Sequence, residues 1–209
     1  MSDTLPVLQA RGLTCRFGPI PLFEGLDFDV PAGLTVVRGG EGRGKTTLLR
    51  LLAGEEGIGS GALRVGPLEL AQDAGAYRAQ VFWVDPRTDI HDQRSVRELL
   101  THPGTHWPMQ DHALLRTLIE GLGLEDHLDK ALYMLSTGSR RKVWLAAGLS
   151  AGARVTLFDQ PFAALDAASC RFVAGQLNER ALEPGRAWVI ADHEVPPGLK
   201  QSQVIDLGD

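Results

Sequence analysis

The nine residues GGEGRGKTT, Gly39 to Thr47, set the strongest limit on what this chain can fold into. They fit the pattern G-x-x-x-x-G-K-[ST] through Gly39, Gly44, Lys45 and Thr46, between the apolar run LTVV and the leucine-rich run TLLRLLAG. That placement predicts strand, loop and helix in succession, the context in which the pattern carries chemistry. Glycines let the loop curl its backbone N–H groups onto a phosphate, and the helix behind it turns its positive end to the same anion. Gly39, Gly40, Glu41, Gly42, Arg43, Gly44, Lys45, Thr46 and Thr47 are therefore the candidate phosphate-binding set. Within it Lys45 is placed for the β and γ phosphates, and the Thr46 hydroxyl for Mg²⁺. A glycine-rich turn that fitted the pattern by chance would not need a strand before it and a helix after it.

The remainder of the chain supplies a sheet for this loop. Before it, LQARGLTCRFG and LFEGLDFDVPAG alternate apolar and polar residues between Gly and Pro, as short antiparallel strands do. After it, QVFWV, RVTLFD, AWVIAD and QVIDL read as further strands. DHALLRTLIEGLG and SRRKVWLAAGL lie between the first two of these and read as helices. Strands that alternate with helices predict an α/β fold with a mostly parallel sheet, an antiparallel flank at the start and a helical insertion in the middle.

A nucleotide held with Mg²⁺ also requires a carboxylate on a neighbouring strand. Asp159 ends VTLFD, and an aspartate at the C-terminal end of a parallel strand points into the crevice where ligands bind. An apolar run ending in Asp means little alone. Beside the phosphate loop it becomes a candidate metal ligand.

Composition bounds the surroundings. At 209 residues, 44% hydrophobic and 22% charged, the chain suits one globular domain with a full core. A formal net charge of −5 gives no general drive toward nucleic acid, and no nucleic-acid partner is expected. MSDTLPVLQARG lacks the features of a signal peptide, and no apolar run approaches the roughly 18 residues that span a bilayer. Cys15 and Cys170 form no metal spacing and read as packing residues in a reducing compartment.

Four motifs in order now resemble those of ATP-binding cassette proteins: the phosphate loop, then LSTGSRRKVWLAAGL, LFDQPFAALD and VIADHE. These look like the family's Walker A, signature, Walker B with D-loop, and switch-histidine motifs. The resemblance implies a P-loop nucleoside-triphosphatase fold. Its mostly parallel sheet is flanked by helices, with an antiparallel β flank and a helical subdomain, roughly 88–150, inserted before the signature motif. All of it belongs to one ATP-binding domain over residues 1–209. It also implies that Phe17 stacks on adenine, that Ser136 and Gly138 touch the γ-phosphate held by an opposite subunit, that His193 contacts the γ-phosphate, and that Asp166 lies in a loop crossing between subunits. Two such domains, as a homodimer or heterodimer, would pack head to tail around two ATP molecules with Mg²⁺. The chain would sit peripherally on the cytoplasmic face of a membrane, where a transmembrane permease subunit would turn that cycle into transport. The chain is similar in size to haem-exporter ATPase subunits.

Three positions depart from the family pattern. Thr137 stands where the signature has a glycine. Asp85 ends the strand after which the family places a glutamine, so it is a candidate for the metal or its water, and Gln93 lies too far along to replace that glutamine. Gln160 stands where the family has the glutamate that polarises the attacking water. An amide can hold a water but is too weakly basic to take its proton, so binding should survive while turnover falls. Gln160 is either native, one of a relaxed set with Thr137 and Asp85, or introduced to trap the ATP-bound state. The native case admits a non-hydrolysing nucleotide-gated module or the less active half of a heterodimer. A soluble non-transport cassette ATPase is the remaining alternative. His91, His102, His106 and His112 match no zinc spacing and read as polar surface of the helical lobe, Trp107 near them as a partner contact, and SRRK at 139–142 as solvated charge.

Overall fold

The computed structural model describes residues 5–18, 20–101 and 109–208, apart from the side chains of Phe17 and Ile20. Its strands form two sheets. The first is antiparallel, in the order β2, β1, β4, β5, from β1 (Leu8–Phe17), β2 (Ile20–Val30), β4 (Ser60–Val65) and β5 (Leu68–Glu69). The second is parallel, in the order β6, β7, β8, β3, β9, from β6 (Val81–Phe82), β7 (Val155–Asp159), β8 (Ala187–Asp192), β3 (Gly33–Arg38) and β9 (Gln203–Asp206). Helix α1 (Lys45–Leu52) follows β3, α2 (Ala74–Arg78) precedes β6, and α3 (Val96–Thr101), α4 (His112–Leu122) and α5 (Thr137–Ser150) separate β6 from β7. Helix α6 (Ala167–Arg180) joins β7 to β8.

The parallel strands are apolar without interruption because both faces of their sheet are covered. Val37, Val155, Leu157, Val189 and Ala191 pack on one side with α1 and the antiparallel sheet. Leu34, Phe82, Phe158, Trp188 and Ile190 pack on the other with residues of α3 to α6. This alternation of neighbours along each strand is the two-residue period of extended chain. In α1, Leu48, Leu49, Leu51 and Leu52 are all fully buried, so the helix is gripped rather than laid on a surface.

The topology makes the crevice. After β3 the chain leaves for the far edge of the sheet and returns strand by strand, so β3 ends up beside β8. Arg38 pairs in register with Asp192, and Asp159 with Ala191, which brings the C-terminal ends of β3, β8 and β7 side by side. Ligands of open α/β sheets bind outside such strand ends.

Three sequence expectations are corrected in detail. The opening strands are not short: they run ten and eleven residues, with register shifts between Ala10 and Arg16 that bend them. The run QVFWV pairs only over Val81–Phe82, because Trp83 turns away and donates its indole N–H to Glu55 Oε2 at 2.8 Å. Strand β4 was not anticipated; SGALRV carries no strong strand signal and is held by pairing with β1.

Candidate functional site

The loop between β3 and α1 does what its glycines allow. Gly42 and Gly44 have φ of 75° and 83°, in the left-handed region that favours glycine. A Cβ on Gly44 would lie 2.7 Å from Leu22 Cδ2 and 2.9 Å from Phe23 Cζ. Gly44 caps α1 with no side-chain hydrogen bond, so the first N–H groups of the helix are not claimed by a cap. Lys45 is buried, and its Nζ donates to the Gly39 and Gly40 carbonyls at 2.6 and 2.7 Å. Its charge is thus held over the loop by carbonyl dipoles, with no carboxylate partner in those contacts. The Gly40 N–H donates to Gly208 O at 2.9 Å, which fastens the start of the loop to the chain end beyond β9.

Thr46 Oγ1 donates to Asp159 Oδ2 at 2.6 Å, across 113 positions of sequence. Burial pushes the Asp159 carboxyl above its ordinary value and the Asp85 charge adds to this, against the Thr46 hydrogen bond and the charges of Arg87 and Lys45. A hydroxyl and a carboxylate at this separation are hard oxygen donors that fit Mg²⁺, which takes few protein ligands and completes its shell with water and phosphate oxygens. No cluster of three or more His, Cys, Asp or Glu side chains suited to a metal occurs among the described residues. Asp85 itself accepts from the Arg87 N–H at 2.9 Å, and its charge reaches Asp159. Gln93 is exposed.

Gln160 follows Asp159 with φ of 47°, unusual for a residue with a side chain. Its N–H donates to Ala191 O at 2.8 Å, and its side-chain amide donates to His193 Nε2 at 3.1 Å. The structure thus brings Gln160 and His193 together beside Asp159, at the ends of β7 and β8.

Ser136 caps α5, accepting from Ser139 N–H at 3.1 Å. Gly138 is forced by a neighbour in its own chain: a Cβ there would meet Ala164 O at 2.5 Å. Asp166 caps α6 through Ser169 N–H at 2.8 Å and pairs with Lys142 at 3.0 Å. The run SRRK is not solvated charge. Arg140 donates to Thr88 O and pairs with Asp92, Arg141 donates to Ala163 O, and Lys142 holds Asp166. These ties, and Arg87 beside Asp159, are what the sequence reading missed; four basic residues flanking two motifs were the available signal.

Of the other residues, Phe17 closes β1 but its side chain lies outside the described residues, as do His102, His106 and Trp107. His91 is not plain surface. Its ring lies 5.5 Å from that of Trp144, and burial pushes its pKa down, with Arg94 and Arg140 adding. Cys15 and Cys170 are free thiols, buried and half-buried. No described helix is long and apolar enough to cross a membrane.

The family model described as ABC transporter matches residues 23–163. The cytochrome c biogenesis ATP-binding export protein CcmA of Alkalilimnicola ehrlichii is 37% identical over 195 residues, 90% of this chain and 81% of that protein. The protein of the same name from Aromatoleum aromaticum is 30% identical over 100% of this chain and 99% of its own length. Among solved structures, a putative ABC transporter ATP-binding protein from Pyrococcus furiosus superposes with a TM-score of 0.77 at 22% identity, covering 96% of both chains. That likeness speaks to the fold.

Proposed function

The chain belongs to the ABC transporter family and is an ATP-binding subunit of it, and on that premise we propose that it binds Mg-ATP at a head-to-tail interface of two such subunits to drive a permease. The observation that carries the reading is the 2.6 Å contact of Thr46 with Asp159 beneath a loop whose one buried cation is Lys45. Lys45, now bonded to Gly39 and Gly40, would hold the phosphate oxygens, and Thr46 and Asp159 would hold the metal. When bound, the metal neutralises phosphate charge. Ser136 and Gly138 serve the nucleotide of the opposite subunit, Phe17 the adenine, Asp85 the metal's water, and Asp166 the crossing between subunits. Residues 1–209 act as one unit with a helical lobe over about 88–150, peripheral on the cytoplasmic face of a membrane. The names of the relatives point to export in cytochrome c biogenesis, and we extend that role to this chain. Co-purification from membranes with a multi-span protein tests the assignment to transport.

Hydrolysis is slow in this reading. The Gln160 amide donates to His193, and its carbonyl oxygen can accept from a water, but it cannot take the water's proton. General-base assistance is typically worth about 10²–10⁴-fold. Phosphate release by the isolated chain should therefore rise within that range in Gln160→Glu. Equal and robust turnover in both would refute a limiting role for Gln160. ATP-dependent dimerisation without phosphate release, restored to turnover only by a second subunit, would identify the less active half of a heterodimer.

A further inference from the structure

The three basic residues after Ser139 each tie the start of α5 to a different neighbour. Arg140 reaches Thr88 and Asp92 in the loop after β6, and Lys142 reaches Asp166 in the loop after β7. Arg141 stands between them. It is half-buried, donates to Ala163 O, and lines with Asp159 and Pro161 a narrow cavity between α5 and the ends of β6 and β7. Burial pushes the Arg141 guanidinium down, while the Asp159 and Asp192 charges oppose that shift. A guanidinium stays charged under such opposition, so it is a fixed positive charge that shares a cavity with Asp159 and whose field reaches Asp192 on the neighbouring strand end.

Those carboxylates create a problem for nucleotide. Asp159 and Asp192 end neighbouring strands, and Asp85 adds its charge at Asp159, so the polyphosphate must approach a cluster of negative groups. Lys45 and Arg87 offset part of this. We infer that Arg141 is a positioning residue for nucleotide: its guanidinium balances Asp159 and Asp192 before any metal arrives, and its bond to Ala163 holds the Gln160 turn against α5. The inference rests on the ATP-binding reading above. It has a sign. Removing the charge should penalise bare nucleotide more than metal-loaded nucleotide, whose cation would be held at Asp159 and would gain from losing a positive neighbour.

The test is binding, not turnover. A fluorescent ATP analogue is titrated into the full chain in Mg²⁺ and again in EDTA, and the ratio of the two Kd values is compared among variants whose fold is checked by circular dichroism. Arg141→Gln should raise the EDTA-to-Mg²⁺ ratio by roughly threefold to tenfold. Arg141→Lys, which keeps the charge, should stay within about twofold of the parent. Asp192→Asn, which removes one of these carboxylates, should lower the ratio, and it decides the matter if Arg141→Gln does not fold. A ratio unmoved in Arg141→Gln, or raised equally in Arg141→Lys, overturns the inference. So does an unmoved ratio in Asp192→Asn. A parent chain that binds the analogue in neither buffer refutes the ATP-binding reading instead.

Discussion

The loop at 39–47 and the first turn of α5 both serve the end of the same sheet, but they are built by opposite means. The loop is backbone chemistry: two left-handed glycines, uncapped helix N–H groups and one lysine held by its own loop's carbonyls. The α5 turn is side-chain chemistry, with Arg140, Arg141 and Lys142 reaching partners 22 to 52 positions away. A change in the loop should therefore strike nucleotide binding directly. A change in the turn should strike the alignment of the loops after β6 and β7 with each other.

The largest break comes from the loop. Lys45→Ala removes the buried cation, and the affinity for Mg-ATP, read by fluorescence titration, should fall by about 100-fold. The melting temperature should change far less. Glycine replacements sharpen the contrast. In Gly44→Ala the new Cβ has φ of 83° to contend with and meets Leu22 and Phe23 side chains that can yield. That strain is worth about 1–2 kcal/mol, roughly 2–8 °C in Tm. In Gly138→Ala the Cβ meets the Ala164 carbonyl at 2.5 Å, and backbone must move. The expected cost is about 1–3 kcal/mol with Mg-ATP affinity of the monomer unchanged. Loss of monomer affinity in Gly138→Ala would erase the distinction between the two regions.

A smaller effect separates the two strand-end loops. Arg140→Ala leaves Asp92, whose side chain is 25% exposed, without its ion pair. Chemical denaturation should show a loss of about 0.5–1 kcal/mol. The local effect should centre on residues 85–92, read as faster amide exchange there and not in the 39–47 loop.

The difference in means also explains what the sequence disclosed. Thr46 and Asp159 were legible because a local pattern fixes one and a strand end fixes the other; their contact then follows from β3 and β7 flanking β8. Gln160 and His193 were legible as positions but not as a hydrogen-bonded pair. The left-handed φ of Gln160 and Ala164 was hidden, since neither residue advertises it as glycine does. SRRK read as solvated charge because its partners, Thr88, Ala163 and Asp166, are close only after folding. Trp83 read as strand because an apolar run does not say where pairing stops; the Glu55 carboxylate that draws its indole away is 28 positions earlier.

The smallest effect sits where the α5 turn meets α6. Asp166 accepts from the Ser169 N–H and hydroxyl and from Lys142, and these hydrogen bonds, the Ser169 backbone bond first, hold its carboxyl far below the ordinary 3.8. The folded value is depressed, so the ionised carboxylate stabilises the fold above pH 3.8, and that contribution is lost as pH falls through the folded value. Asp166→Asn keeps an oxygen for the Ser169 N–H but gives up the charge. The Tm difference between parent and variant should be small and salt-sensitive at neutral pH, because the group is exposed. Below about pH 3 it should shrink toward zero. A difference that stays flat from neutral pH into acid would mean that the cap alone holds this corner. The pairing with Lys142 would then drop out of the ties that set the α5 turn apart from the phosphate loop.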